Sequence, residues 1–182
     1  MKQKGFTLIE LLVVIAIIGL LASVVLLALN DSRQKSRVAK RVADLAQIAK
    51  ALEVYYNDNN HYPISGTTNS VCTGAGTYNQ VSANNVIPGL VPNYISSIPV
   101  DPSSDGVTKN CYIYYPNSSN NGTDYKFLDN NITDMTATQI KQYPSLVDPC
   151  RNNNAEPAAC GWVSGNDPAN AWSIYSPGAH DL

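Results

Sequence analysis

Charged side chains are scarce in this chain: Lys, Arg, Asp and Glu make up 14% of its 182 residues, and the net charge is −2. This balance excludes a strongly basic nucleic-acid-binding protein. The charge is also unevenly spread, because the first 60 residues hold 8 basic against 5 acidic side chains, while the other 122 hold 4 against 9. The chain therefore joins a basic N-terminal part to an acidic remainder.

Motifs for catalysis and metal binding are also missing. No G-x-x-x-x-G-K-[ST], H-E-x-x-H or G-x-S-x-G pattern occurs, so no phosphate-binding loop, zinc protease or hydrolase nucleophile is indicated. Histidine occurs only at His61 and His180, and C-x-x-C is absent. These absences argue against a catalytic triad and a zinc site, and we expect no enzymatic activity.

Proline is absent from residue 6 to residue 62, and the first part of this stretch is mostly apolar. Phe6 to Leu29 carries a single charge, on Glu10. About 20 apolar residues in a helix span the hydrocarbon of a bilayer, so this segment can cross a membrane. A secretory signal would have a shorter apolar core followed by a small-residue cleavage site. Here the apolar run continues directly into a second helical pattern, so cleavage after it is not expected.

The second helical pattern lies between residues 33 and 60. Together the two patterns predict one helix of about 50 residues, roughly 75 to 80 Å long at 1.5 Å per residue. The first half is apolar all round and needs lipid or other copies of itself as cover, whereas the second half is amphipathic. The predicted apolar stripe consists of Val38, Val42, Leu45, Ala49, Leu52 and Tyr56.

A basic cluster from Arg33 to Arg41 follows the apolar run. Anionic lipid headgroups or DNA would be functional partners for such a cluster. The favoured interpretation is a solvated helix face, in which Lys40 and Asp44 form an i,i+4 ion pair. DNA or another surface ligand therefore has no specific support.

Glu10 requires a counter-charge, because an ionised carboxylate inside a bilayer costs about 2.5 to 3.5 kcal/mol and usually marks a partner. A short basic leader, Met1 to Gly5, precedes the apolar run. Cleavage after Gly5 would leave a free α-amine on Phe6, one helical turn from Glu10. Such an amine is a candidate for the missing positive charge.

The stretch KGFTLIELLVVIAIIGLLA, from Lys4 to Ala22, resembles the N-terminus of bacterial type IV pilins and type II secretion pseudopilins. The resemblance implies cleavage between Gly5 and Phe6 by a prepilin peptidase and methylation of the new amine. It also implies that Glu10 pairs with the N-terminal amine of a neighbouring subunit during filament assembly. The implied fold is α+β and pilin-like: a lollipop whose long N-terminal helix has a protruding hydrophobic half and an amphipathic half packed on a small antiparallel sheet.

The same resemblance implies a homopolymer, assembled by a platform protein and a motor ATPase from a single-pass precursor in the inner membrane. More basic residues follow the apolar run than precede it, which opposes this orientation. Four cysteines in a turn-rich body nevertheless favour a body outside the cytoplasm. We expect a structural pilus subunit. The alternatives are the major pseudopilin of a secretion system, a minor subunit or adhesin at a filament tip, and an unpolymerised anchored domain.

Turn signals and short β-rich segments dominate the remainder of the chain. The predicted regions are a leader at 1–5, an apolar helix at 6–30, an amphipathic helix at 31–60, a connection at 61–110 and a sheet with the C-terminal region at 111–182. Alternating residues at 111–115 and 124–128 predict an antiparallel hairpin, and 171–176 predicts a third strand. Residues 86–102 read as a short helix or turns, and residues 134–143 as a short helix.

Four cysteines, Cys72, Cys111, Cys150 and Cys160, allow three pairings. We favour Cys72 with Cys111 and Cys150 with Cys160, the latter closing a C-terminal loop like the disulfide-bounded region of many pilins. Major pseudopilins are also known for a calcium site in their C-terminal loops, and oxygen-rich stretches suit this cation. The candidate ligands are Asp124, Asp129, Asn131 and Asp134, although solvated turn residues are the favoured interpretation because their spacing is not that of an EF-hand loop. No other cofactor is expected.

Overall fold

The computed structural model describes residues 5–72, 79–116, 121–130, 132–147 and 171–176. The chain forms two compact units, of which the first spans residues 1–38 and the second residues 39–182. The predictions for Met1 to Lys4, Asn131, Cys150, Cys160 and His180 lie outside the described residues.

One helix, α1, runs from Leu8 to Asn59 and contains 52 residues, which confirms the predicted long helix. The residue after its last one, Asn60, has a left-handed φ of 58°. The N–H of Asn60 still donates to the carbonyl of Tyr56 at 2.8 Å. Asparagine tolerates the left-handed conformation that commonly closes a helix, so Asn60 closes α1 three residues before Pro63.

In the first unit, α1 exposes apolar side chains in every direction. Leu8 and Ile9 are 82% and 72% exposed, and the pattern continues to Leu29 at 46%. Among the described residues, α1 is the one helix long and apolar enough to cross a membrane. A contiguous apolar surface of this extent marks an interaction site for lipid or protein.

The second unit contains a five-stranded sheet in the order β2-β1-β3-β4-β5. All neighbouring pairs are antiparallel except β1 and β2, which are parallel. A 3₁₀ turn at Ala83–Asn85 and a short helix, α2, at Ala137–Ile140 complete the described elements. The strands are β1 (Asn69–Ser70), β2 (Asn79–Gln80), β3 (Cys111–Pro116), β4 (Tyr125–Asn130) and β5 (Trp172–Tyr175).

The sheet confirms the predicted α+β fold. The predicted hairpin is present, with Cys111 opposite Asn130 at one end and Pro116 opposite Tyr125 at the other. The predicted third strand is β5, which pairs with β4. The sequence did not predict β1 and β2, because each contains two polar residues and shows no hydrophobic alternation.

The buried face of α1 in the second unit is rotated from the predicted stripe. Leu45 and Leu52 are buried as predicted, but Tyr56 is 38% exposed. Ile48 and Arg41 are buried instead. The prediction counted apolar residues only, and it therefore passed over a charged side chain at an interior position.

Candidate functional site

The predicted processing site lies just before α1. Gly5 is exposed and has no atom within 4 Å of the position that a Cβ would take. Phe6 is 79% exposed. The junction between these residues is therefore open to another protein.

Thr7 and Glu10 form a reciprocal cap at the start of α1. The backbone N–H and the hydroxyl of Thr7 donate to Glu10 Oε2 at 2.9 and 2.7 Å. In return, the N–H of Glu10 donates to Thr7 Oγ1 at 3.3 Å. This is a capping box, whose sequence pattern of Ser or Thr followed three residues later by Glu was readable in the chain.

The cap fixes where the one acid of the apolar segment is presented. Glu10 lies on the exposed first turn of α1. Both hydrogen bonds that its carboxylate accepts from Thr7 end on Oε2. Ser23 donates its hydroxyl to the carbonyl of Leu20 at 2.7 Å, so this polar group is satisfied within the helix. A lone carboxylate is thus the chemically distinctive group of an otherwise apolar surface.

The basic cluster separates into surface and interior residues. Arg33 and Lys35 are exposed. Lys40 pairs with Asp44 at 2.7 Å, which confirms the predicted i,i+4 pair. The interpretation of the whole cluster as a solvated face is wrong for Arg41, whose side chain is fully buried.

Arg41 is surrounded by carboxylates from distant parts of the chain. Its Nε donates to Asp101 Oδ2 and lies 3.3 Å from Asp129 Oδ2 in β4. Its Nη2 donates to Asp134 Oδ1 at 2.7 Å, and to Asp101 Oδ1 and Ser103 Oγ at 3.2 Å each. The guanidinium therefore connects α1 to the loop before β3, to β4 and to the segment after β4. We call the four charged residues Arg41, Asp101, Asp129 and Asp134 the Arg41 cluster.

Burial and charge act in opposite directions in this cluster. Burial would lower the pKa of Arg41, but its hydrogen bond to Asp101 and the charges of Asp129 and Asp101 raise that pKa overall. Burial raises the pKa of Asp129 well above its ordinary value, and the charge of Asp101 adds to this effect, while Arg41 opposes it. Neither carboxylate oxygen of Asp129 accepts a hydrogen bond. The cluster thus holds a guanidinium beside a buried acid whose pKa is raised.

A second polar contact joins α1 to the sheet next to this cluster. Tyr112 in β3 donates its hydroxyl to Asp44 Oδ2 at 3.3 Å. Burial raises the pKa of Tyr112, and the negative charges of Asp129 and Asp44 raise it further. Tyr112 therefore stays protonated as the donor.

Of the three calcium candidates that the structure describes, Asp124 has other partners than Asp129 and Asp134. Asp124 accepts hydrogen bonds from the hydroxyls of Ser176 and Thr123, each at 2.9 Å. Asp129 and Asp134 both face the guanidinium of Arg41. Within residues 5–72, 79–116, 121–130, 132–147 and 171–176, no group of three His, Cys, Asp or Glu side chains is arranged to hold a metal ion.

Cys72 and Cys111 form the predicted disulfide, with their Cα atoms 5.8 Å apart. Both cysteines are fully buried and pack with Ile113 and Leu128. The bond connects Cys72, which lies shortly after β1, to Cys111 at the start of β3. The chain between the two cysteines includes Asp101 and Ser103, which accept hydrogen bonds from Arg41. The segment between β1 and β3 is therefore attached to the rest of the body both by the disulfide and by Arg41.

Comparisons with known proteins agree with these features. A family model described as the prokaryotic N-terminal methylation motif matches residues 1–26. The type II secretion system core protein G of Escherichia coli is 40% identical over 101 residues, which are 56% of this chain and 67% of that protein. The core protein G of Aeromonas hydrophila is 45% identical over 62 residues, covering 34% of this chain and 43% of that protein. A fimbrial protein of Neisseria meningitidis is 38% identical over 73 residues, or 40% and 43% of the two chains. No solved structure gives a significant match.

The fold and these likenesses define the class of protein. A long N-terminal helix and a small, mostly antiparallel sheet are a pilin-like α+β arrangement. The chain belongs to the family of type IV pilins and type II secretion pseudopilins. Its relatives by name are a secretion-system component and a fimbrial protein, not enzymes.

Proposed function

We propose that this chain is a structural subunit of a type IV pilus-like surface filament and polymerises through its N-terminal helix. The observation that carries the proposal is the first unit, where α1 exposes apolar side chains from Leu8 to Leu29 with a single acid, Glu10. In a membrane, lipid covers this surface. Outside it, only apolar surface of other subunits can do so, and head-to-tail repetition of one contact gives a helical filament.

The proposed assembly begins with an anchored precursor in the inner membrane, with its body outside the cytoplasm. A prepilin peptidase cuts between Gly5 and Phe6, and the new amine of Phe6 is methylated. Glu10 then attracts the Phe6 amine of a neighbouring subunit, because pairing the two charges lowers the cost of holding either in an apolar environment. A platform protein and a motor ATPase would extract each subunit, and the chain itself would perform no catalysis.

A second candidate is the major pseudopilin of a type II secretion system, whose short periplasmic filament acts as a piston. The alignment over 101 residues with core protein G favours this candidate, since it extends well beyond the apolar helix. Deletion of the gene separates the two: loss of long surface fibres supports the pilus, whereas a secretion defect in cells without surface fibres supports the pseudopilus. A minor subunit or adhesin at a filament tip would instead be present at low copy number beside a more abundant pilin.

Mass spectrometry of filaments purified from cells tests the proposal directly. Removal of five residues from 182 leaves 177, beginning with a methylated Phe6. A Gly5→Val variant is the matched control, because a branched side chain at the junction should block cleavage while leaving the apolar span unchanged. Filaments built from chains that retain Met1 would contradict the proposed processing.

A further inference from the structure

Two opposite charges lie just beyond the apolar surface of α1. Asp31 and Lys35 follow Leu29, and both side chains are exposed. They are four positions apart on one helix with the acid nearer the N-terminus, which is the better order for an intrahelical ion pair. Yet neither forms an ion pair with any described residue, whereas Lys40 and Asp44 pair at 2.7 Å at the same spacing. Both charges are therefore open to another chain.

Lys35 lies on the same side of α1 as Glu10. The helix is continuous from Leu8 to Asn59, so positions around its axis follow from the helical repeat. At about 100° per residue, the roughly 25 steps from Glu10 to Lys35 come to about seven full turns and leave the two side chains about 20° apart. By the same count, Arg33 lies about 140° from Glu10. A neighbouring helix that Glu10 faces is therefore one that Lys35 faces as well.

The proposed pairing of Glu10 with the Phe6 amine sets the offset between neighbouring helices. Glu10 Oε2 accepts from the N–H of Thr7 at 2.9 Å, so the charge of Glu10 lies between the levels of residues 7 and 10. The Phe6 amine of the next subunit reaches that level when the two charges pair. Two parallel helices are then displaced by about one to four residues, or about 1.5 to 6 Å along the axis. Lys35 of one subunit is therefore level with residues 31–34 of the next.

The acid that the next subunit carries at this level is Asp31. Residues 31–34 contain two charged side chains, Asp31 and Arg33. These two lie on opposite sides of the helix, because two residues turn through about 200°. When Asp31 faces Lys35 of its neighbour, Arg33 therefore faces away. The other orientation would hold Arg33 against Lys35, and like charges placed together at an interface are unfavourable.

We infer that Lys35 of each subunit pairs with Asp31 of the next subunit along the filament, which is a second copy of this chain. The contact is heterologous, so it repeats from subunit to subunit and continues the apolar contact of α1 as a row of ion pairs. Complementary charges of this kind fix the register of an interface more than its affinity. The inference rests on the proposed function, because the offset comes from the pairing of Glu10 with Phe6.

Cross-linking within filaments tests the inference. Cells co-express two full-length chains, one with Asp31→Cys and one with Lys35→Cys, and the purified filaments are treated with a short bis-maleimide. Neither chain carries both substitutions, so a linked peptide that joins positions 31 and 35 must connect two subunits. Mass spectrometry of the digested filaments should find this peptide. Arg33→Cys in place of Lys35→Cys is the matched control and should give much less linkage to position 31.

Charge exchange is a second measurement that does not depend on the cysteine chains. Asp31→Lys and Lys35→Asp each place like charges in contact, so each should lower the ratio of filament to membrane-bound subunits severalfold. The double exchange restores opposite charges and should recover most of this loss. Arg33→Asp makes the same change of charge as Lys35→Asp on the other side of the helix, and it should lower the ratio much less.

Three results would overturn the inference while leaving the proposed function in place, because filaments are present in each. The first is filaments in which position 31 is linked to position 35 no more than to position 33. The second is assembly of both single reversals at the wild-type level. The third is a double exchange that assembles no better than the single reversals beside normal wild-type filaments. A wild-type chain that forms no filaments would instead contradict the proposed function, and this inference with it.

Discussion

Thr7 and Glu10 cap the start of α1 together, with the hydroxyl of Thr7 donating to the carboxylate of Glu10 at 2.7 Å. The residue proposed to recognise a neighbouring subunit is therefore also a residue that starts the helix. An experiment on Glu10 must separate these two roles. Loss of assembly is informative only if the helix still begins at Leu8.

Glu10→Gln should abolish filament assembly while membrane insertion is retained. The glutamine side chain keeps an oxygen that can accept from Thr7, so the cap survives. It lacks the negative charge that would attract the amine of Phe6 in a neighbour. Fractionation of cells into membrane and filament pools measures both outcomes, and filaments at wild-type level would contradict the proposed charge pairing.

Thr7→Ser is the matched control for the cap. Serine keeps the hydroxyl that donates to Glu10, so assembly should stay near the wild-type level. Thr7→Val removes the hydroxyl but keeps the shape of the side chain, and loss of an N-cap costs about 0.5 to 2 kcal/mol of helix stability. Circular dichroism of the full chain in micelles would show whether this loss unravels the first turn.

The disulfide should contribute strongly to the stability of the body. Cys72 and Cys111 are 39 positions apart in sequence, and a disulfide typically stabilises by about 2 to 4 kcal/mol. Replacing both with Ser should lower the free energy of unfolding by that amount, measured by denaturant titration of the full chain. Replacing both with Ala controls for burial of the serine hydroxyls. An unchanged free energy in both variants would show that the loop is held without the bond.

The sequence predicted those parts of the fold that depend on local patterns. The absence of proline up to residue 62 predicted the length of α1, and alternation in residues 111–115 and 124–128 predicted the hairpin. The disulfide between Cys72 and Cys111 belonged to the favoured one of three possible pairings. The helix and the hairpin need only information from neighbouring residues, whereas the cysteines alone left three pairings open.

The interior position of Arg41 could not be predicted in the same way. Its partners Asp101 and Asp134 lie 60 and 93 positions away along the chain. A charged residue is buried only when such partners neutralise it, and no local pattern reveals them. One signal was present: Arg41 stands four residues before Leu45, on the line that continues through Ile48 and Leu52.

Asp129 should make the body less stable as the pH rises above about 4. Burial raises the pKa of Asp129 in the folded state, whereas the unfolded value is about 3.9. Between these values the folded state holds a proton that the unfolded state has released. The stability that this proton contributes is complete below the unfolded pKa and is lost as the pH rises through the folded one, with a slope of up to about 1.36 kcal/mol per pH unit.

Asp129→Asn tests this pH dependence, because its amide cannot ionise beside Arg41, Asp101, Asp134 and Tyr112. The free energy of unfolding should vary less with pH above 4 than in wild type and should be equal or higher at neutral pH. Asp105→Asn is a control of opposite sign. Hydrogen bonds from the backbone N–H groups of Lys109 and Val107 lower the pKa of Asp105, so the ionised Asp105 stabilises the folded state above about pH 4 and this stabilisation is lost as the pH falls. A wild-type pH profile retained in Asp129→Asn would contradict the prediction.

Gly122 should be the least replaceable glycine of the described body. Its φ is 71°, and its carbonyl accepts a hydrogen bond from Tyr62 at 2.7 Å. A Cβ at this position would lie 2.7 Å from the backbone oxygen of Tyr62 and 2.8 Å from Ile64 Cγ1. Because a backbone atom cannot turn aside as a flexible side chain can, alanine would push the hairpin away from the segment that follows α1.

Gly106 is the matched control, since its φ of 70° is nearly the same but nothing lies within 4 Å of its Cβ position. Gly106→Ala should cost about 1 to 2 kcal/mol, the penalty of a left-handed backbone for an L-residue. Gly122→Ala should cost clearly more, because the steric conflict adds to the same penalty. Denaturant unfolding of the two variants gives both values, and equal losses would show that the contact with Tyr62 relaxes without cost.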